Sequence, residues 1–184
     1  MMERHLYITG MAGSGKSSLG KKVASNLHIR YIDMDKALIS AFGMPMGEIF
    51  EKYGEETFQK AETNLLIWLT RMPPMIISTG GNCIVNFREL FACDALDIFS
   101  ILICQLILTV DRPIEDILSD IKLDRRPDLE KEGLEGVEKT YEERIGLYRK
   151  NADMVLDNSK GYFLGVANME RMIRLKFGLY SMQP

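Results

Sequence analysis

The residues best suited to chemistry stand near the start of the chain. Residues 10–18 read GMAGSGKSS and fit the pattern G-x-x-x-x-G-K-[ST], with Gly10, Gly15, Lys16 and Ser17 at the fixed positions. A polyphosphate needs many hydrogen-bond donors at short range. Gly10, Gly13 and Gly15 let the backbone curl so that successive N–H groups point inward, and Ala12, Ser14 and Ser18 belong to the same run. A helix beginning near Lys16 adds its positive end to that spot. Lys16 supplies a mobile charge for β- and γ-phosphates, and Ser17 offers a hydroxyl to Mg²⁺. The pattern implies a nucleoside triphosphate and names no acceptor. The alternative is a glycine-rich turn capping an ordinary helix.

The flanking elements favour the first reading. Residues 5–9 are apolar and β-branched, as a buried strand requires, and residues 16–27 carry Leu19, Val23 and Leu27 at helical spacing.

Three further clusters could do chemistry. Residues 29–35, IRYIDMD, read as a short strand followed by Asp33 and Asp35. An open α/β sheet binds ligands beyond the carboxyl ends of its strands, so one acid could serve Mg²⁺ through water and the other an acceptor hydroxyl. Alternatively, Asp35 caps the next helix. The strand at 75–79 runs into Gly80-Gly81-Asn82, a loop that lets a substrate approach backbone N–H groups or simply turns from strand to helix. Residues 124–136, DRRPDLEKEGLEG, have too little apolar surface to order themselves and read as a mobile loop. Arg125 and Arg126 are its candidates to fold over a nucleotide; an acidic solvated loop is the alternative. Beyond it, a helix over 137–150 carries Val137, Tyr141, Ile145 and Tyr148 in register, with Arg144 near that face. An inward arginine requires an anion.

The remaining chain supplies the frame. A short helix over 43–54 has Ile49, Phe50 and Tyr53 as its apolar face, and Gly54 divides it from a helix over 55–71 with Phe58, Ala61, Leu65, Trp68 and Met72 as its stripe. Met72-Pro73-Pro74 stops that helix. Helical signals follow at 87–100, 113–123 (Ile114, Ile117, Leu118, Ile121) and 161–178 (Val166, Met169, Ile173), and strands at 105–110 and 154–156. Strand and helix alternate, which predicts an α/β fold: a parallel sheet of about five strands with helices on both faces.

Composition narrows the class. The 184 residues suit one domain, and 46% apolar with 27% charged residues is ordinary for a globular protein. A net charge of −3 argues against nucleic acid as the main partner. Cys83, Cys93 and Cys104 form neither a C-x-x-C pair nor an even set, so reduced thiols in a cytoplasmic protein are expected. The most apolar stretch, 98–110, is too short to span a bilayer and is interrupted by Ser100 and Gln105.

Taken together, GMAGSGKSSLG, IDMDKALI, GMPMGEIFEKYGEETFQKAE, STGGN, DRRP and ERIGLYR, in this order, resemble the shikimate kinase family from about Tyr7 to about Asp157. The resemblance implies a P-loop NTPase-like, three-layer α/β/α domain over 1–184 with strand order 2-3-1-4-5, a mobile lid and an acceptor-binding helical region over about 35–62. It implies a monomer that uses ATP, Mg²⁺ and a small-molecule acceptor. Asp35 would meet the acceptor hydroxyl and Asp33 would lie near Mg²⁺. Gly80 and Gly81 would line the acceptor pocket, Arg126 would reach the transferring phosphate, and Arg144 would hold the acceptor carboxylate.

The chain departs from the family pattern at Gln59 in GEETFQKAE, where an arginine that would clamp the same carboxylate is expected, and at Asn82, where a third glycine is expected. Ser119 stands near the usual place of an adenine-contacting arginine, and the segment between Asn82 and Leu106 is longer than usual. A charge-assisted hydrogen bond contributes ~1.5–3 kcal/mol against ~1 kcal/mol for a neutral one, so Gln59 implies roughly tenfold weaker carboxylate binding. Lys60 and Arg88 are the nearby cations that could compensate. Two rival readings fit the same residues: a related kinase for another polyol or hydroxy acid, and a nucleotide-binding regulatory protein without transfer chemistry. A GTP switch lacks its N-K-x-D motif.

Overall fold

The computed structural model describes residues 2–81, 106–120 and 133–179. Within them, five strands form one parallel sheet in the order β2-β3-β1-β4-β5: β1 Leu6–Thr9, β2 Tyr31–Asp33, β3 Ile76–Ser78, β4 Leu106–Asp111 and β5 Met154–Asp157. The described helices are α1 Lys16–Asn26, α2 Met34–Phe42, α3 Met46–Thr70, α4 Ile114–Asp120, α5 Gly133–Asn151 and α6 Tyr162–Phe177. Sheet class and strand order are as the sequence and its resemblance lead one to expect.

The central strand shows why the chain adopts three layers. All four residues of β1 are buried, and successive side chains leave opposite faces of the sheet. Leu6 and Ile8 join Leu19 and Val23 of α1 and Met169 and Ile173 of α6 in one core. Tyr7, between them, joins Met34, Leu66, Leu69 and Ile77 in the core on the other face. A third cluster, Met11, Ala12, Ile117, Val137 and Tyr148, packs α4 and α5 against the loop after β1.

Several boundaries and faces differ from expectation. Strand β2 includes Asp33, expected to follow it, and the Asp33 carboxylate accepts the Lys36 N–H at 3.2 Å and caps α2. Asp35 is therefore not the cap; it sits in the first helical turn. The 43–71 region forms α3 with its break at Gly54 (φ 77°, ψ 163°), the residue expected to divide it. The buried positions of the second half are Phe58, Glu62, Leu66 and Leu69, while Trp68 is half exposed. Ala61 and Leu65 are only partly buried, at the edge of the core, because the most buried line follows i, i+4, i+8 and i+11 from Phe58. Residues 133–136, assigned to the lid loop, belong to α5; Gly136 and Val137 are buried against the loop after β1, which fixes that first turn. The helix expected over 87–100, the bulk of the lid, Arg125 and the three cysteines lie outside the described residues.

His5 ties two strands together at their start. It is buried, and its Nδ1 accepts the Met75 N–H at 3.2 Å. Burial lowers its pKa below the ordinary 6.5. The unfolded chain thus takes up this proton first, so the stabilisation is complete above that value and is lost as pH falls through it towards the folded pKa. Melting temperature should fall as pH drops below about 6.5, and His5→Asn, whose amide oxygen can accept the same bond, should flatten that part of the profile in a thermal melt. An unchanged slope in the variant would exclude His5 as the cause.

Candidate active site

The phosphate loop occupies residues 10–15, between β1 and α1. Gly10, Gly13 and Gly15 all have positive φ, at 141°, 81° and 96°. The loop closes on itself through the Ser14 N–H on the Met11 carbonyl at 3.1 Å. Helix α1 begins at Lys16 with no side-chain cap and no acid in its first turn. Its positive end is therefore open to an anion. Lys16 is 3% exposed, which suits a cation meant to face a ligand rather than bulk water. Ser18 turns its hydroxyl back to the Gly15 carbonyl at 3.0 Å.

The Ser17 hydroxyl lies 3.2 Å from that of Ser78, at the end of β3. Tyr31 donates to the Ser17 carbonyl at 3.0 Å, and burial, helped by the Asp33 charge, pushes its pKa up to about 12. It remains a neutral donor at any working pH. Asp33 is buried and engaged: one oxygen caps α2, the other lies 3.6 Å from Lys36 Nζ.

Beside this loop opens a cleft of about 650 Å³, its mouth included. Its walls come from four places: Met11 and Ala12 of the phosphate loop, Asp35 of α2, Glu55, Phe58, Gln59 and Glu62 of α3, and Thr140, Arg144 and Tyr148 of α5. Gly80 and Gly81 also line it. The tertiary structure thus gathers Ala12, Asp35, Gln59, Gly80, Gly81 and Arg144, residues far apart in sequence, round one space. A Cβ on Gly80 would collide with the Glu62 carboxylate and stand 3.0 Å from that of Asp35, so a side chain there would have to displace both acids. The Gln59 amide donates to Glu55 at 3.0 Å, one helical turn earlier. Asn82 and Arg126 lie outside the described residues. Asp33 does not line the cleft.

Glu62 and Tyr148 stand out among the cleft residues to which the sequence assigns no site role. Glu62 is buried in the cleft wall; its signal was an acid four residues after Phe58, on the buried phase of an amphipathic helix. Tyr148 was read as core, and it is 1% exposed, but its hydroxyl donates to the Gly81 carbonyl at 2.6 Å. Burial raises its pKa, against the pull of neighbouring Arg144, so it stays a donor. The Tyr148 carbonyl in turn accepts the Thr109 hydroxyl at 3.1 Å, anchoring this end of α5 to β4.

A nucleotide loop, an acid one step away and an arginine across the cleft are the parts of a small-molecule kinase, and comparison with known proteins names the group. The shikimate kinase family model matches residues 12–166. The shikimate kinase of Clostridium beijerinckii is 35% identical over 159 residues, 86% of this chain and 88% of its own. This chain belongs to the shikimate kinase family. A Clostridium botulinum shikimate kinase is 29% identical over 94% of this chain and 98% of its own. Among solved structures, shikimate kinase from Aquifex aeolicus is 28% identical with a TM-score of 0.74 over 97% of this chain and 99% of its own. The Acinetobacter baumannii enzyme, solved with shikimate, shares the fold with a TM-score of 0.77 at 22% identity over 97% of this chain and 96% of its own. Membership makes the protein an ATP-using kinase that transfers phosphate to a hydroxyl. Among the described residues, no helix is long and apolar enough to cross a membrane.

The Tyr148 bond sets the height of the Gly80-Gly81 floor against α5. Tyr148→Phe keeps the ring and removes one buried hydrogen bond of about 1 kcal/mol, which should raise the KM for the acceptor about fivefold while leaving that for ATP unchanged. Steady-state kinetics with each substrate varied in turn would show it; equal shifts in both constants would contradict the assignment.

Proposed function

We propose that the protein transfers the γ-phosphoryl group of ATP to a hydroxyl of shikimate, giving shikimate 3-phosphate and ADP. The observation that carries this reading is the cleft that sets Asp35 and Arg144 around the glycine floor, directly beside the phosphate loop. Arg144 faces the acceptor carboxylate across the cleft, and Asp35 orients the attacking hydroxyl and takes its proton. Lys16 and the open end of α1 meet the charge on the transferring group, joined by Arg126 in the family pattern. In a loose transition state, positioning and charge matter more than the base, which suits so polar a cleft.

The residues present fit Mg²⁺ when it enters with the nucleotide. The Ser17 hydroxyl stands beside that of Ser78, a neutral oxygen pair suited to a hard cation whose other ligands are phosphate oxygens and water. Asp33, committed to capping α2, would act on it only through water. When bound, Mg²⁺ neutralises charge on the β- and γ-phosphates. The described residues hold no cluster of three His, Cys, Asp or Glu suited to a metal, which agrees with an ion held mainly by its nucleotide.

One observation favours a second reading, a related kinase for a less acidic polyol. The Gln59 amide brings no charge, and one of its two N–H donors is taken by Glu55. Gln59→Arg should lower the KM for shikimate by about tenfold with that for ATP unchanged, and a rise instead would point to the other acceptor.

The deciding experiment is ADP release from Mg-ATP with and without shikimate. Shikimate-dependent release supports the proposal; no release with shikimate, alongside release with another polyol, overturns it. Asp35→Asn should lower kcat by about a hundredfold while ATP binding persists. Lys16→Ala should abolish turnover with every acceptor, and full activity there would refute the phosphate-loop assignment.

A further inference from the structure

Asn158, just beyond β5, belongs to none of the motifs above, yet it touches the phosphate loop from behind. It is 8% exposed, and its Nδ2 donates to the Ser14 carbonyl at 2.8 Å. Its own N–H donates to the Asp111 carbonyl at 2.8 Å, so the residue is pinned to the end of β4. Its side chain fills the space between Gly15 and Gly165. A Cβ on Gly15 would come to 2.8 Å from Nδ2, and one on Gly165 would collide with Oδ1. The two glycines therefore leave the room that the amide occupies. The neighbouring carbonyl, of Gly13, is held in a similar way by Arg112 Nη1 at 3.1 Å.

A trans peptide group is planar, so the Ser14 carbonyl and the Gly15 N–H point in opposite directions. Asn158 draws the carbonyl towards the buried interior, and the Gly15 N–H is thereby turned towards the open side of the loop. Gly15 also precedes the uncapped first turn of α1. Without the Asn158 donor, that peptide could rotate, since Gly15, with φ 96°, has the freedom of glycine. The Ser14 carbonyl would then face incoming phosphate, a repulsion in place of a hydrogen bond.

We propose that Asn158 is a positioning residue for nucleotide binding: it locks the Ser14–Gly15 peptide so that the Gly15 N–H meets the phosphates. The inference rests on the nucleotide half of the site and is independent of which acceptor is used.

The test is calorimetric titration of Mg-ADP into the wild type, Asn158→Asp and Asn158→Ala, with melting curves alongside. The aspartate variant keeps size and loses the donor. Both variants should bind Mg-ADP about tenfold more weakly, and the KM for ATP should rise by about the same factor while that for shikimate changes by less than about twofold. Unchanged Mg-ADP affinity in a folded variant overturns the proposal, as does an equal rise in both KM values. Should neither variant fold, the wild-type amide spectrum decides: Mg-ADP must shift the Gly15 N–H resonance, and an unmoved signal overturns the proposal. A wild type that binds Mg-ADP but leaves shikimate unphosphorylated counts only against the acceptor assignment.

Discussion

The parallel register of β1 between its two neighbours is the constraint on which the site depends. Ile8 stands opposite Ser78 on one side and Leu108 on the other, so the carboxyl ends of β1, β3 and β4 finish at one edge of the sheet. That edge is where the phosphate loop, the glycine floor and the grip on the loop from β4 and β5 can meet. The hydrogen bond between Ser17 and Ser78, and that from Asn158 to the Ser14 carbonyl, depend on these strand ends sharing one edge of the sheet. A slip of one residue in β1 would also reverse its faces, turning Tyr7 towards α1 and Leu6 and Ile8 towards α3.

Charge is divided between two adjoining spaces. The phosphate loop offers backbone N–H groups, a helix end without an acid, and Lys16, all directed to an anion. The adjoining cleft, where the proposed reaction places the acceptor, carries Asp35, Glu55 and Glu62 on its α2 and α3 walls and Arg144 on α5. Such a cleft accepts hydrogen bonds from hydroxyls on one side and meets negative charge on the other. It is a polar site built on rigid elements, with tyrosines at its joints: Tyr31 holds the start of α1, and Tyr148 holds the floor. Both are buried enough to stay protonated, so these joints do not titrate at physiological pH.

The phosphate loop was legible in sequence because its chemistry is local: glycines, Lys16 and Ser17 must follow one another within a single turn of chain. The same holds for α1 and α6, whose buried residues Leu19, Val23, Val166, Met169 and Ile173 keep helical spacing against a flat sheet. Helix α3 was harder. It is apolar on more than one side, and only the packing shows that Glu62 faces inward while Trp68 is half exposed. The cap at Asp33 was missed by two residues because two aspartates stand close together and only the backbone direction selects between them.

By itself, the sequence determined the fold class, the nucleotide loop and the candidate acceptor residues, because periodicity and short motifs are properties of neighbours along the chain. Tertiary structure alone decided how those residues combine. It gathered Asp35, Gly80 and Arg144 round one cleft and brought Asn158 to a loop 144 residues away. No local signal could reveal that last contact. It arises from the order of strands in the sheet, where the end of β5 comes to lie behind a turn that the chain made at its beginning.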